Sequence, residues 1–205
     1  MPSAADALTL IRQAWALRRD KLAAPPASEA AARAVAGKVR GYLVEAIAIC
    51  RAAGADRELV VALGKLGHVE QDAGRHETAR VCFEEAVAVA RAVADPLRLA
   101  HAVRHLGDAH RHARRLTEAE ACYEEALSLY GGHVAGAAKL DHANALRPMA
   151  ILKEERGQVE EARILWERAR DLYSAVGIEA GVAECADHLA RLDRRAAVKW
   201  QQPGP

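Results

Sequence analysis

Three stretches of this chain are near copies: Ala79–Ala86, Ala119–Ala126 and Ala162–Ala169, set 40 and then 43 residues apart. Each has an alanine, an aromatic four residues on (Phe83, Tyr123, Trp166), and a second alanine three further (Ala86, Ala126, Ala169). That i, i+4, i+7 spacing is one stripe of an α-helix. A long period with one such stripe per copy restricts the chain to stacked helical repeats. The alanines let a neighbouring helix approach closely, and the ring fills the remaining gap. Burying each ring should contribute about 1.5–3 kcal/mol. Composition agrees: 51% of residues are hydrophobic, yet aromatics are limited to three Trp, four Tyr and one Phe. Apolar content carried by Ala and Leu, beside 28% charged residues, favours helix over a sandwich or barrel and excludes disorder as the main state.

A second helix precedes each stripe. Leu66-Gly67, Leu106-Gly107 and Met149-Ala150 stand thirteen residues before the first stripe alanine, a large residue followed by a small one. Gly74-Arg75, Arg114-Arg115 and Gly157-Gln158 mark the turn inside each unit. Thr117 with Glu120 reads as a capping box opening the second helix of the middle unit. Asp95-Pro96 reads as an N-cap followed by proline at the first helical position. Gly131-Gly132 breaks the chain before the third unit.

The ends extend the pattern. Ser3 to Lys21 should form an amphipathic helix with Leu8, Ile11, Trp15 and Leu22 on its apolar side, and Pro25-Pro26 should stop it. Ser28 to Arg51 can form another, whose Leu43, Ala46 and Ile47 lie 40 residues before Phe83, Ala86 and Val87. A last helix, Glu179 to Ala196, should cover the open end of the array, leaving Trp200 to Pro205 as a frayed tail.

Leu-Gly, a glycine turn and the Ala–aromatic–Ala stripe together resemble the tetratricopeptide repeat, in the extended form of kinesin-light-chain-like arrays. The resemblance covers Asp56 to Arg195. It implies an all-α, right-handed superhelical array of antiparallel helix pairs, an α-solenoid of nine helices. The expected organisation is an N-terminal helical pair over 1–53 (a degenerate repeat or cap), three units and a closing helix over 55–196, and a tail over 197–205. The chain departs from the family pattern where an aromatic is common in the first helix: Glu70, His110 and Lys153 stand there.

Charge narrows the partners. Lys and Arg total 29 against 28 Asp and Glu, so no bulk electrostatic footprint points to nucleic acid. No apolar run is long enough for a membrane span, and the first residues lack the basic-then-apolar order of a signal peptide. Cys50, Cys82, Cys122 and Cys185 include no C-x-x-C pair, which fits reduced, packed thiols in a cytoplasmic protein. No phosphate loop, nucleophile elbow or zinc-helix motif is present, and no cofactor is expected.

What remains is a polar stripe. His101, His105, Asp108 and His112 fall on one helix face, with Arg104 and Arg111 beside them. The preceding unit offers His68 and Asp72, equivalent to Asp108 and His112; the following unit offers Asn144 and Arg147, and the closing helix Glu184, His188 and Arg191. The resemblance implies that first helices line a concave groove, so these stripes would face a protein or peptide ligand. The family's Lys/Asn/Arg carboxylate clamp does not carry over, since Gly64, His68, His105 and Pro148 occupy its positions. Arg104, Arg111 and Arg147 still offer bidentate donors to an acidic peptide. The expectation is a non-catalytic interaction module. The alternatives are a metal-dependent or histidine-based hydrolase using His68, His101, His105, Asp108 and His112, and a self-associating structural protein.

Overall fold

The computed structural model describes residues 2–24, 28–131 and 137–201, the side chains at 22, 137 and 196–201 excepted. Among the described residues there are nine α-helices and no strand: α1 (Ala4–Ala23), α2 (Glu29–Ala53), α3 (Asp56–Asp72), α4 (His76–Ala92), α5 (Pro96–His112), α6 (Leu116–Gly131), α7 (Ala137–Glu155), α8 (Val159–Ala175) and α9 (Glu179–Gln201). They fall into two compact units, residues 1–113 with α1–α5 and residues 114–205 with α6–α9. Within each unit consecutive helices pack side by side, and the short described turns, between α2 and α5 and between α7 and α9, make those neighbours antiparallel. The fold is the all-α array of helix pairs that the repeats imply.

Local chemistry explains the boundaries. Ser3 caps α1 through a full capping box with Asp6, Ser28 accepts from Ala31 N–H at 3.2 Å, and Asp95 accepts from Arg98 N–H at 3.1 Å with Pro96 opening α5. Helices stop where the backbone enters the left-handed region, at Gly54, Gly74, Gly157 and Gly177, with φ of 62–73°. Ala94 (φ 50°) and Arg114 (φ 60°) adopt the same conformation without being glycine. After the glycine turns, Arg75 N–H donates to the Glu70 carbonyl and Gln158 N–H to the Lys153 carbonyl, both at 2.9 Å. α1 begins and α2 is capped where the sequence places them, while α9 continues to Gln201, past the expected stop at Ala196. Leu22, Pro25-Pro26, Gly132 and the chain's last four residues lie outside what is described.

The expected capping box of Thr117 and Glu120 does not form. α6 already begins at Leu116, so Thr117 lies inside its first turn. Arg156 reaches the Thr117 hydroxyl at 3.3 Å, and the Glu120 carboxylate is engaged by Lys153 and Arg156. Two cations a helix away compete better for that carboxylate than a single backbone N–H.

The repeat stripes are the core. Ala79, Phe83, Ala86, Ala119, Tyr123, Ala126, Ala162, Trp166 and Ala169 are buried to within 1%. Phe83 lies so close over α3 that a Cβ at Gly67 would stand 2.5 Å from its ring, which explains the small residue after Leu66. On α1 the fully buried stripe is Ala7, Ile11 and Ala14, with Leu8 and Trp15 half-buried. Leu43, Ala46 and Ile47 of α2 are buried as their repeat-like spacing predicts.

Where the family pattern has an aromatic, the chain buries charge. The Glu70 side chain is fully buried, held by Arg40 Nε at 2.8 Å and by Arg75. Burial alone would raise this carboxyl, but hydrogen bonds and charge from Arg75 and Arg40 outweigh it and hold the pKa below its ordinary value. In the second unit the equivalent Lys153 lies between Glu120 and Glu161, each at 2.6 Å. Burial would lower its pKa, and the two carboxylates reverse that and raise it. One position thus carries opposite signs, each neutralised by its own surroundings.

Candidate functional site

In the first unit α1, α3 and α5 contribute one continuous polar and aromatic surface. His68 of α3 meets His105 of α5 edge to face, ring centroids 4.2 Å apart, and His101 packs on His105 at 4.5 Å. Phe83, from the core stripe of α4, supports both, stacking on His105 at 5.7 Å and meeting His68 edge-on at 5.4 Å. Trp15 of α1 extends the surface, 6.3 Å from His68. Lys65 Nζ sits 3.6 Å from the Trp15 ring centroid, and the Arg18 guanidinium lies 4.6 Å from it.

The hydrogen bonds assign the tautomers. Arg104 can only donate, so its Nη2, 2.7 Å from His105 Nε2, makes that nitrogen an acceptor. The His105 proton is therefore on Nδ1, which faces the Asp108 carboxylate at 3.5 Å. His68 Nε2 lies 3.3 Å from the same His105 nitrogen. His105, accepting at Nε2, is neutral in this arrangement. Burial, with Arg104 and Arg18 next, lowers His68 to about 4. His105 is pushed well below its ordinary value by burial, against the pull of Asp108. His101 is open to water, yet protein surrounds it closely enough that desolvation, Arg104 and His68 bring it down to about 4. Burial and then Arg18 lower Lys65 to about 8.

The other expected site residues divide between the two units. Asp72 receives Arg18 Nε at 2.8 Å, and Arg104 Nη1 lies 3.3 Å from Asp108. Arg111 and His112 continue the α5 face, Nη2 to Nε2 3.3 Å apart, with His112 exposed. Asn144 and Arg147 belong to the second unit. Asn144 Oδ1 accepts from the Tyr173 hydroxyl at 2.9 Å, and Arg147 Nε reaches both oxygens of Glu184 at 2.8 and 2.9 Å. The second unit repeats the aromatic–histidine pairing: Trp166 stacks on His188 at 3.9 Å, and Glu154 accepts from Trp166 Nε1 at 2.6 Å and lies 2.5 Å from His188 Nδ1.

The sequence stripe contained the α3 and α5 residues but not Trp15, Arg18 or Lys65, because their proximity is a property of helix pairing. Among the described residues, no group of three or more His, Cys, Asp and Glu side chains is arranged to hold a metal ion. Cys50, Cys82 and Cys185 are buried free thiols. No described helix is long and apolar enough to cross a membrane.

Comparison with known proteins agrees with this architecture. Residues 58–132, from α3 to just past the end of α6, match the tetratricopeptide repeat family model. No curated protein matches the chain. Among solved structures it is similar to BtubC (BKLC) from P. vanneervenii, with 17% identity and a TM-score of 0.59 over 98% of this chain and 93% of that one. A putative kinesin light chain with nearly identical TPR-like repeats from Podosopora anserina aligns at 15% identity and TM-score 0.62, over 96% and 99%. A Rap protein complexed with competence and sporulation factor aligns at 15% identity and TM-score 0.67, over 77% of this chain and 46% of that one. At these identities the likeness is one of fold.

Proposed function

We propose that this tetratricopeptide-repeat chain is a non-catalytic protein-interaction module that takes up a peptide or helix of a partner on the surface shared by α1, α3 and α5. The observation that carries the reading is the ring cluster of Trp15, His68, His101 and His105, assembled from successive helix pairs and bordered by Lys65 and Arg104, with Arg111 further along α5. Neutral rings offer apolar faces and hydrogen-bonding edges, and the flanking cations select an acidic or phosphorylated segment. His68, Asp72, His101, Arg104, His105, Asp108, Arg111 and His112 are the proposed contact residues of this surface; Asn144 and Arg147 are proposed separately, as contact residues of the second unit. A structural neighbour crystallised with competence and sporulation factor gives the reading a precedent in fold, not in sequence.

The test is affinity capture with wild type beside the Arg104→Ala/Arg111→Ala variant, followed by titration of synthetic peptides from the captured protein. Loss of one partner from the variant alone, with micromolar peptide binding to wild type, supports the assignment. Identical captured sets overturn it. Cytosol is the extract to use, in keeping with the reduced cysteines.

A further inference from the structure

A second concavity lies apart from the ring cluster, also within the first unit. The C-terminal end of α1, the N-terminal half of α2 and the C-terminal end of α3 line an open cavity of about 1060 Å³. Its floor is open because α2 places the small residues Ala32, Ala36 and Gly37 there. Ala32, Ala36 and Gly37 line it with Val39, Val69 and Ala73, and the space a Cβ would take at Gly37 is open. Helices facing each other across alanine and glycine leave room that larger side chains would fill.

The rim of this apolar space is cationic. Arg18, Lys21, Arg33, Arg40 and Arg75 line it, against the carboxylates of Glu29 and Asp72. Glu70 lies buried behind Arg40 and Arg75 and holds both in place, each about half exposed. Arg18 is paired with Asp72 and Arg33 with Glu29. Counting Glu70, five cations face three carboxylates, so the cavity keeps an excess of positive charge. Its volume lies just above the usual range of pockets that take small organic molecules, about 300–1,000 Å³.

We infer that this cavity binds a small amphiphilic anion, an apolar body in the alanine- and valine-lined space with a carboxylate or phosphate group at the arginine rim. The apolar floor selects for a hydrocarbon or aromatic body, and the guanidinium rim offers forked donors to an oxyanion. The site is distinct from the partner surface proposed above but shares Asp72 with it, and Arg18, paired with Asp72, also packs on Trp15.

The test uses the intact chain with 8-anilino-1-naphthalenesulfonate as fluorescent probe, displaced in parallel by decanoate, decyl phosphate and decyltrimethylammonium. The expected result is saturable probe binding, displaced by one or both anions and not by the cation; the two anions distinguish carboxylate from phosphate recognition. Ala36→Leu/Gly37→Leu fills the space without touching an ion pair of Glu70, and should weaken the probe about tenfold or more. Lys21→Glu/Arg33→Glu should do the same by reversing the rim, with both variants melting as wild type does. Equal displacement by the cation, or undiminished binding in the filled variant, overturns the inference. A filled variant that melts early is replaced in the comparison by the rim variant.

Discussion

The Nε2 atoms of His68 and His105 lie 3.3 Å apart, brought together by the first helices of two adjoining helix pairs. His105 can accept at that nitrogen only while its own ring is neutral. The same cluster faces Lys65, Arg18 and Arg104 against the carboxylates of Asp72 and Asp108, so protonation adds positive charge to an already cationic surface.

This gives a pH dependence of definite sign. His68 and His101 titrate near 4 when folded and near 6.5 when unfolded, and burial holds His105 well below its ordinary value in the folded chain. Between those values the unfolded chain binds more protons, so stability is full above about pH 6.5 and falls as pH drops toward 4. Urea unfolding across that window should show the decline, and His105→Phe should flatten it. A wild-type profile level down to pH 5 would contradict the neutral cluster.

Gly67 and Gly64 both lie inside α3 but should respond oppositely to alanine. A Cβ at Gly67 stands 2.5 Å from the Phe83 ring, whereas at Gly64 nothing lies within 4 Å. Gly67→Ala should cost about 1–3 kcal/mol by displacing the ring, and Gly64→Ala should gain up to about 1 kcal/mol from helix propensity. Chemical denaturation of the two variants side by side measures the difference.

Truncating the repeat aromatics tests the stacking directly. Phe83→Ala and Trp166→Ala should each cost about 3–5 kcal/mol, since both rings are fully buried. Trp166→Ala also removes the donor to Glu154 and the ring on which His188 stacks. Unchanged thermal melts would contradict the role assigned to these rings.

Removing the arginines around Glu70 should be worse than removing Lys153. Arg40→Ala/Arg75→Ala leaves a carboxylate buried without a counter-charge, at a cost of about 3–5 kcal/mol. Lys153→Met leaves Glu120 with Arg156, and Glu161 is half exposed, so the loss should stay below about 1.5 kcal/mol. Equilibrium unfolding of both variants at neutral pH decides it.

The left-handed turns without glycine offer a stabilising change. Ala94→Gly relieves a side chain held at φ 50° and should raise stability by about 0.5–1 kcal/mol. Arg114→Gly should gain less, because Arg114 also reaches Glu155 at 3.0 Å. A thermal melt of each variant checks the order.

Most of the architecture was legible because it is periodic. The alanine and aromatic stripes, the Asp95-Pro96 start and the turns at Gly74 and Gly157 each have a local cause in the residues themselves. The candidate site was half legible. His101, His105 and Asp108 share one helix face, so spacing alone groups them, whereas Trp15, Arg18 and Lys65 join through the pairing of α1 with α3. Glu120 shows the limit in the other direction: its local signal reads as a cap, and two cations from α7 and the turn after it win the carboxylate instead. The turns at Ala94 and Arg114 carry no glycine to announce their conformation.

The opposite charges of Glu70 and Lys153 bear on how the chain finds its own order. An array of near copies can mispair while folding, because each alanine stripe fits its neighbour's partner nearly as well as its own. Glu70 is matched to two arginines, and Lys153 to two glutamates. Exchanging the two helices would bury anion against anion in one place and cation against cation in the other. Two of the three copies therefore carry an address in their interior, which sets them apart from each other even though their stripes are similar enough to stack.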